Sequence, residues 1–344
     1  MDLINLFFIF IIFISLFIFF KKKKLFIDNT SFSEHKKIGS ENELPILIGG
    51  PFILIIYLIF HYDHSIIIIT SAVSITFLGI MSDKNIISSP NKRLIFQFII
   101  ILFLSYFENL QINDVKFDIF NSFLSNEYFN LFFTIFCLAI LINGSNFLDG
   151  LNGLLTGYYL MILISIVCLF NLYPEINAKD FDYLKTIFFS LIIFFIFNIF
   201  GLVYLGDSGT YLLSLFVGTY LIKFNYNYDF ISPYYITVLL WYPAFENFFS
   251  LSRRILKKKK TSLPDNLHLH QLIFLFLQSK KFFPKKILNT FSSSLLLLIN
   301  LPGFIVAYNY TMKSSVLLSI IFFNIIIYVL LYYFLSKNLI LKKQ

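Results

Sequence analysis

Charged residues are scarce in this chain. Asp, Glu, Lys and Arg make up 13% of its 344 residues, whereas hydrophobic residues make up 58% and the mean hydropathy is +0.79. An average soluble protein carries about 25% charged residues. A soluble α/β enzyme would have short apolar runs separated by many charges, so the composition excludes that class.

Cysteine is nearly absent as well. Cys137 and Cys168 are the two cysteines of the sequence, and each lies inside a long apolar run. Neither a disulfide framework nor a metal–thiolate site can form from them.

What the sequence has in abundance is long apolar runs rich in Phe and Ile. Such runs can cross a hydrocarbon core of about 30 Å, and without water to satisfy the backbone they must be helical. We therefore predict an all-α, multi-pass membrane protein with one integral membrane domain over residues 1–344 and ten or eleven spans. The predicted spans are residues 3–20, 45–61, 65–81, 94–107, 129–143, 154–172, 184–200, 210–223, 232–249, 287–309 and 315–336.

The basic residues predict the orientation of these spans. Lys21–Lys24 follow the first span, which places that loop in the cytoplasm, the N-terminus outside and the C-terminus in the cytoplasm. The predicted cytoplasmic segments then hold 22 Lys or Arg and 9 Asp or Glu, against 5 and 10 outside. The net charge of +8 thus reflects the orientation of the chain in the membrane and does not indicate nucleic-acid binding. Because its charges follow the apolar run, we expect that the first span is not a cleaved signal peptide.

The polar motifs all fall in the predicted cytoplasmic loops. The most polar of them is "NGSNFLDGLNGLLTG" at 143–157, and "LGDSGTYL" and "PDNLHLHQL" lie further along the chain. Carboxylates, amides and imidazoles from separate loops on one face indicate a site that faces the cytosol. The loops are residues 21–44, 82–93, 144–153, 201–209 and 250–286.

The segment 143–157 carries three polar side chains at one spacing. If its start continues as a helix, Asn146, Asp149 and Asn152 share one face, and Gly150 beside them lets backbone or ligand approach closely. The alternative is a polar helix–loop junction with Asn as a cap. A carboxylate between two amides is more than a cap requires.

Asp207 precedes an apolar span and lies between two glycines. It can be a helix N-cap or a ligand of Mg²⁺, which is usually held by one or two carboxylates plus substrate phosphates. The sequence does not separate these roles, and they can coexist.

The "HLH" motif places His268 and His270 two residues apart. In an extended loop both would point to one side, and Pro264 just upstream favours a loop. A zinc site is disfavoured because no cysteine and no third histidine lie nearby. Hydrogen bonding to phosphate fits the pair better.

Two further acids lie near predicted cytoplasmic span ends. Asp83 follows the third span, and Glu246 lies inside a later span, where an ionisable group is costly and indicates function or a partner. We expect Arg253 and Arg254, two turns along the same helix, to be partners of Glu246.

Taken in order, these motifs resemble the polyprenyl-phosphate N-acetylhexosamine-1-phosphate transferases of glycosyl transferase family 4. The resemblance runs from about Asp28 to Leu272, and it is closer to the branch that initiates O-antigen than to the phospho-muramoyl-pentapeptide translocase. Four positions depart from the family pattern: Ser82 where an aspartate is usual, Asn152 at an acidic position, Gln271 in place of a histidine and Glu246 in place of the more common aspartate.

The resemblance implies transfer of N-acetylhexosamine-1-phosphate from a UDP-sugar to polyprenyl phosphate, with release of UMP. It implies a Mg²⁺ ion, replaceable by Mn²⁺, held by Asp207 with help from Asp149. It places Asp83 on the lipid-phosphate side. The remaining predicted substrate contacts are Asn146, Asn152, His268, His270 and Arg254.

The resemblance also implies a location in the bacterial inner membrane, an active site facing the cytoplasm and a homodimer. The chain would bind membrane lipid and no nucleic acid. Two alternatives stay open: a transporter or flippase, and a relative that has lost catalysis, which the departures at Ser82, Asn152 and Gln271 motivate. The identity of the UDP-sugar and the downstream polysaccharide or glycoprotein pathway are not predicted.

Overall fold

The structure is a computed structural model that describes residues 3–27, 45–177, 182–258, 267–281 and 284–340. Most of the loop predicted at 21–44 and the Pro264 turn lie outside the described residues. In the described part, thirteen helices and two short strands follow one another. These are α1 (Leu3–Lys23), β1 (Ile46–Leu47), α2 (Gly49–Phe60), α3 (Ile66–Asp83), α4 (Pro90–Phe107), α5 (Asp118–Leu124), α6 (Glu127–Leu148), α7 (Leu154–Leu172), α8 (Asp182–Ile199), β2 (Val203–Tyr204), α9 (Gly206–Asn227), α10 (Pro233–Leu256), α11 (Leu269–Lys280), α12 (Lys285–Asn309) and α13 (Ser314–Ile340).

The all-helical class is confirmed. Each of the eleven predicted spans overlaps a helix, whereas the short helices α5 and α11 were not predicted. Among the described residues, α1, α3, α6, α7, α12 and α13 are long and apolar enough to cross a membrane, and α2 and α8 are shorter apolar helices. The number of eleven crossings and the orientation of the chain stay predictions.

Several helices are longer than the apolar runs that predicted them. The span predicted at 94–107 begins at Pro90, which occupies the first turn of α4. Pro is favoured there because its missing N–H has no partner in a first turn. Likewise α10 continues past 249 to Leu256 and carries Arg253 and Arg254 in its last turn. A hydropathy pattern does not detect the polar ends of helices, so the predicted spans were shorter than the helices.

Helix α9 occupies the centre of the bundle, and 16 of its 22 residues are buried. It packs against α2, α3 and α6. This central position explains why α9 can carry Ser, Thr and Gly residues, since protein rather than lipid surrounds it. Its first turn, which contains Asp207, is therefore held by several neighbouring helices.

A two-stranded parallel sheet brings distant chain segments to the same end of the bundle. Strand β1 pairs with β2 in the register Ile46 to Val203 and Leu47 to Tyr204. Strand β1 leads into α2, and β2 leads into α9. The starts of these two helices therefore lie side by side, and we refer to this end of the bundle as the site face.

Candidate functional site

The first group of polar residues at the site face is a carboxylate cluster made of Ser82, Asp83, Arg93, Asp207 and Tyr211. The Oδ2 atom of Asp207 accepts hydrogen bonds from Arg93 at 2.8 Å, from Tyr211 at 3.2 Å and from Ser82. The same Arg93 nitrogen donates to Ser82 Oγ at 2.7 Å. Three helices, α3, α4 and α9, thus converge on one carboxylate oxygen.

Asp83 secures the start of α9. Its Oδ1 accepts a hydrogen bond from the backbone N–H of Asp207 at 2.7 Å, and its Oδ2 accepts one from the backbone N–H of Ser208 at 3.2 Å. The first N–H groups of a helix have no partner within it, and a negative charge there is favoured by the helix dipole. Gly206 has φ +68°, and a Cβ at that position would lie 2.8 Å from Asp83 Oδ2, so the turn requires glycine.

The other oxygen of Asp207, Oδ1, receives no hydrogen bond from the described residues. The side chain of Asp207 is 21% exposed. Arg93, which fixes Oδ2, is itself 25% exposed. The carboxylate is therefore held rigidly through one oxygen while the other remains available to a ligand.

The second group is a histidine cluster made of Phe147, Glu246, His268, His270 and Tyr328. The buried Glu246 accepts a hydrogen bond from His268 Nδ1 at 2.9 Å and one from the Tyr328 hydroxyl at 2.9 Å. The His268 ring stacks on Phe147 with the ring centroids 4.8 Å apart. A carboxylate at Nδ1 fixes the orientation of the imidazole and leaves Nε2 for another partner.

The partners of Glu246 differ from those expected. The sequence predicted Arg253 or Arg254, but Glu246 pairs with His268 and Tyr328. Arg253 is directed instead to the carbonyl of Leu267 at 2.7 Å, just before His268. It therefore supports the segment that carries the histidines. No signal in the sequence distinguishes Tyr328 from the other 20 tyrosines.

The histidine pair lies at a helix start rather than in an extended loop. His268 is the N-cap of α11, and its backbone N–H donates to Gln271 Oε1 at 3.1 Å. His270 follows in the first turn and is fully buried, and the two rings lie parallel with centroids 5.7 Å apart. The prediction that both rings share one side agrees with this geometry, although the backbone reason differs.

The end of α6 contacts the start of α11. A Cβ placed on Gly150 would lie 2.5 Å from His270 Nε2, so glycine is needed for this approach. Asp149, the neighbouring residue, is the C-cap of α6 and is half-buried. The motif at 143–157 is thereby placed next to the histidine cluster.

A hydrogen bond between α4 and α6 relates the two clusters. Asn143 Nδ2 donates to Gln97 Oε1 at 3.0 Å. Arg93 lies one turn before Gln97 on α4, and Phe147 lies one turn after Asn143 on α6. Because the two helices run in opposite directions, both steps lead to the site face, each over about 6 Å. The carboxylate and histidine clusters therefore lie on the same face of the bundle.

The two predicted amides lie in different surroundings. Asn146 is half-buried on the last turns of α6. Asn152 is 4% exposed; its backbone N–H donates to Asn289 at 2.6 Å and its carbonyl accepts from Ser293 at 2.6 Å. Asn152 thus anchors the 149–153 turn to α12, and a contact with substrate stays a prediction for both amides.

Asn198 is a further anchor of this turn. Its Oδ1 accepts hydrogen bonds from the Gly153 N–H at 2.9 Å and the Thr156 hydroxyl at 3.0 Å, and its Nδ2 donates to the Val203 carbonyl at 2.7 Å. It connects the start of α7 with the strand before α9. The remaining predicted contact, Arg254, is half-buried in the last turn of α10.

The arrangement fits a divalent cation that is shared with a substrate. Within the described residues, no group of three or more His, Cys, Asp or Glu side chains could enclose a metal ion. Mg²⁺ does not need such an enclosure, since one or two carboxylates together with substrate phosphates usually hold it. The Oδ1 atom of Asp207 is one candidate for such a ligand, and Asp149 is the second candidate on this face.

Comparisons with known proteins agree with these motifs. Residues 65–225 match the sequence model of glycosyl transferase family 4. This segment contains Asp83, Asp149 and Asp207 but ends before the histidine cluster.

The chain is similar to two bacterial relatives. The chain is 29% identical over 143 residues to the undecaprenyl-phosphate alpha-N-acetylglucosaminyl 1-phosphate transferase of Thermotoga maritima, covering 41% of this chain and 42% of that protein. It is 27% identical over 220 residues to the probable undecaprenyl-phosphate N-acetylglucosaminyl 1-phosphate transferase of Bacillus subtilis, covering 61% and 58%. The matches thus span about half the length of these relatives.

Proposed function

We propose that this chain, whose residues 65–225 match the sequence model of glycosyl transferase family 4, belongs to that family and transfers N-acetylhexosamine-1-phosphate from a UDP-sugar to polyprenyl phosphate. The products are polyprenyl-diphosphate-sugar and UMP. The observation that carries the proposal is the convergence of the carboxylate and histidine clusters on one face of an apolar helix bundle. A water-soluble phosphate donor and a membrane lipid can meet at such a boundary.

The reaction needs charge neutralisation more than a base. The second pKa of a phosphate monoester is about 6, so the lipid phosphate is mostly a dianion at pH 7. One of its oxygens forms a bond to the sugar-bearing phosphorus, and the bond from that phosphorus to the bridging oxygen breaks, so that UMP leaves with the electron pair. The main obstacle is the repulsion between two anions.

The carboxylate cluster is suited to reduce this repulsion. Mg²⁺, when bound, supplies positive charge at the diphosphate, and the free Oδ1 of Asp207 together with Asp149 would hold it. Arg93 fixes Asp207 through Oδ2 at 2.8 Å. Ser82 stands where a second carboxylate would otherwise face Asp207, so the cluster carries less negative charge beside an anionic substrate.

The histidine cluster is suited to hold phosphate. Glu246 accepts from Nδ1 of His268, which leaves Nε2 to donate to a phosphate oxygen when the ring is protonated. His270, Arg254, Asn146 and Asn152 are the further proposed substrate contacts. Asp83, whose two oxygens cap α9, positions the helix that carries Asp207.

An apolar cavity gives a place for the lipid tail. It has a volume of about 610 Å³ and lies between α6, α9 and α10, where Phe136, Leu141, Gly218, Leu240 and Phe248 contribute to its walls. It also reaches residues 111–116 at the end of the bundle opposite the site face, whereas Phe248 on α10 lies two residues from Glu246. The cavity therefore supports an acceptor whose chain lies along the bundle and whose phosphate lies toward the clusters.

The finer assignments belong to the same proposal. The names of both relatives contain N-acetylglucosaminyl, so UDP-N-acetylglucosamine is the donor to test first. We also propose that the protein lies in a bacterial inner membrane with its site face in the cytoplasm, which the excess of basic residues in the predicted cytoplasmic loops supports. We further propose a role at the start of a lipid-linked surface polysaccharide such as O-antigen, and a homodimer.

The test uses purified protein in detergent with polyprenyl phosphate, Mg²⁺ and a UDP-sugar labelled in the sugar. We expect equal amounts of labelled lipid and UMP, with no product when the lipid phosphate or the divalent cation is left out. A panel of UDP-N-acetylhexosamines would identify the donor. Movement of label across proteoliposomes without UMP release would favour a transporter instead, and no turnover with any donor would favour an inactive relative.

A further inference from the structure

A cavity of about 470 Å³ lies at the end of the bundle opposite the site face, between α3, α4 and α9. It is bordered by Ser65 before α3, Glu108 after α4 and Asn227 at the end of α9. The carboxylate cluster lies at the other ends of these same three helices. Nothing in the proposed reaction uses this cavity, although its volume is within the usual range of about 300–1,000 Å³ for ligand pockets.

The walls of this cavity change from charged to apolar with depth. Asp63, Glu108 and Lys223 surround its mouth, whereas Leu104 and Leu215 form part of its floor. Lys223 and Leu215 are eight residues apart on α9, which corresponds to about 12 Å along the helix. A ligand that fills the cavity must be charged at one end and apolar at the other.

A buried hydroxyl group lines the cavity between these two zones. Thr219, one turn deeper than Lys223, is 5% exposed and its Oγ1 has no hydrogen-bond partner among the described residues. Buried polar atoms are nearly always paired with protein, water or a ligand. The unpaired hydroxyl therefore indicates an acceptor, such as an ester oxygen, inside the cavity.

The charges at the mouth have both signs. Lys223 Nζ lies 2.7 Å from Glu108 Oε2. Burial alone would raise the pKa of Glu108, but hydrogen bonds from Lys223 and Ser65 outweigh it and lower that pKa, so the carboxylate is ionised at pH 7. Asp63 is exposed beside this pair.

The histidine at the mouth adds no charge. Burial lowers the pKa of His64, so its ring is neutral at pH 7. Nδ1 of His64 lies 2.9 Å from the Tyr57 hydroxyl. Among the described residues that line the cavity, the charged groups at the mouth are therefore one cation, Lys223, and two carboxylates, Asp63 and Glu108.

We propose that this cavity binds a glycerophospholipid with a zwitterionic headgroup that carries a primary amine. Its phosphate would pair with Lys223, and its ammonium group with Glu108 and Asp63. An ester oxygen would accept a hydrogen bond from the Thr219 hydroxyl. An acyl chain would pack on the floor of the cavity near Leu104 and Leu215. An anionic headgroup without an amine would compete with Glu108 for Lys223 and would bring no positive group to the two carboxylates.

The test is the thermal unfolding of the purified protein in detergent with added phosphatidylethanolamine, phosphatidylcholine or phosphatidylglycerol. A ligand that binds the folded state raises Tm as its concentration increases. We expect a saturating rise of several degrees with phosphatidylethanolamine, a smaller rise with phosphatidylcholine and the smallest with phosphatidylglycerol. Equal rises with all three lipids would overturn the proposal.

Two variants locate the effect in this cavity. Lys223→Gln removes the phosphate partner, and Thr219→Val removes the hydroxyl at nearly constant volume; each should reduce the rise caused by phosphatidylethanolamine by at least half. Lys313→Gln is the matched control, since Lys313 is exposed at the same end of the bundle and lies outside the cavity. A full rise in Thr219→Val, or the same loss in Lys313→Gln, would contradict the assignment.

Discussion

The two clusters at the site face engage their carboxylates in different ways. Asp207 is held by three donors on one oxygen, while its other oxygen is free among the described residues and its side chain is 21% exposed. Glu246 uses both oxygens, one for His268 and one for Tyr328, and is 1% exposed. The Asp207 carboxylate can therefore contact a ligand, whereas the Glu246 carboxylate cannot.

This difference separates binding from positioning. A rigid carboxylate with one free oxygen can contact a cation or substrate directly, whereas a buried carboxylate with both oxygens engaged acts through the groups it holds. We therefore expect substitutions in the carboxylate cluster to affect turnover most. Substitutions around Glu246 should act through His268.

The largest effect is expected from Asp207→Asn. The amide retains the size of the side chain but loses the negative charge that a divalent cation requires, so UMP release at saturating Mg²⁺ should decrease by at least about 100-fold. Asp118→Asn provides the control, because Asp118 is an exposed acid at the start of α5. Near-normal turnover in Asp207→Asn would remove the proposed role of this carboxylate.

Arg93→Met should have the next largest effect. It removes a charged hydrogen bond to Asp207 and another to Ser82, and such a bond contributes about 1.5–3 kcal/mol, equivalent to about 10- to 100-fold in rate. Arg93→Lys should recover part of this loss, since it restores the charge. If Arg93→Met turned over as wild type, the fixed orientation of Asp207 would not matter.

Glu246→Gln tests whether this buried acid acts through His268. The amide cannot accept both hydrogen bonds, so His268 should lose its fixed orientation. The KM for the UDP-sugar should then rise about 10-fold, the size of effect seen when a residue that orients a metal-bound histidine is replaced. His268→Ala should raise this KM as well. In the His268→Ala background, Glu246→Gln should have no further effect; additive effects would show that Glu246 acts independently.

The smallest effect is expected from Tyr328→Phe. It removes one neutral donor to Glu246 Oε2, and such a bond contributes about 0.5–1.5 kcal/mol, so the KM for the UDP-sugar should rise by no more than about 10-fold. Tyr333→Phe is the matched control, since Tyr333 is exposed on the same helix. A larger change than in Glu246→Gln would place Tyr328, rather than Glu246, at the centre of this cluster.

The sequence predicted the helices well where burial in lipid dictates composition. Apolar runs indicated a helix for every predicted span, because a chain in hydrocarbon has few other ways to satisfy its backbone. It missed α11, whose start carries His268 and His270, because a 12-residue amphipathic helix leaves no long apolar run. It also placed the start of α9 at residue 210, although the helix begins at Gly206 and includes Asp207.

The candidate site residues were predictable as a set but their partners were not. Motif order predicted that Asp83, Asp149, Asp207 and the histidines lie on one face. The pairing of Asn152 with Asn289 joins positions 137 residues apart, and no local pattern encodes it. Such contacts depend on helix packing, so sequence reasoning named the acids without showing which one is open.

The most direct measurement is the exchange of radiolabelled UMP into UDP-N-acetylglucosamine in membranes that contain polyprenyl phosphate and Mg²⁺. We predict exchange by the wild-type protein, background exchange by Asp207→Asn, and exchange by His268→Ala that recovers as the UDP-sugar concentration is raised. Wild-type exchange in Asp207→Asn, or exchange without lipid phosphate, would contradict a shared site built from the two clusters.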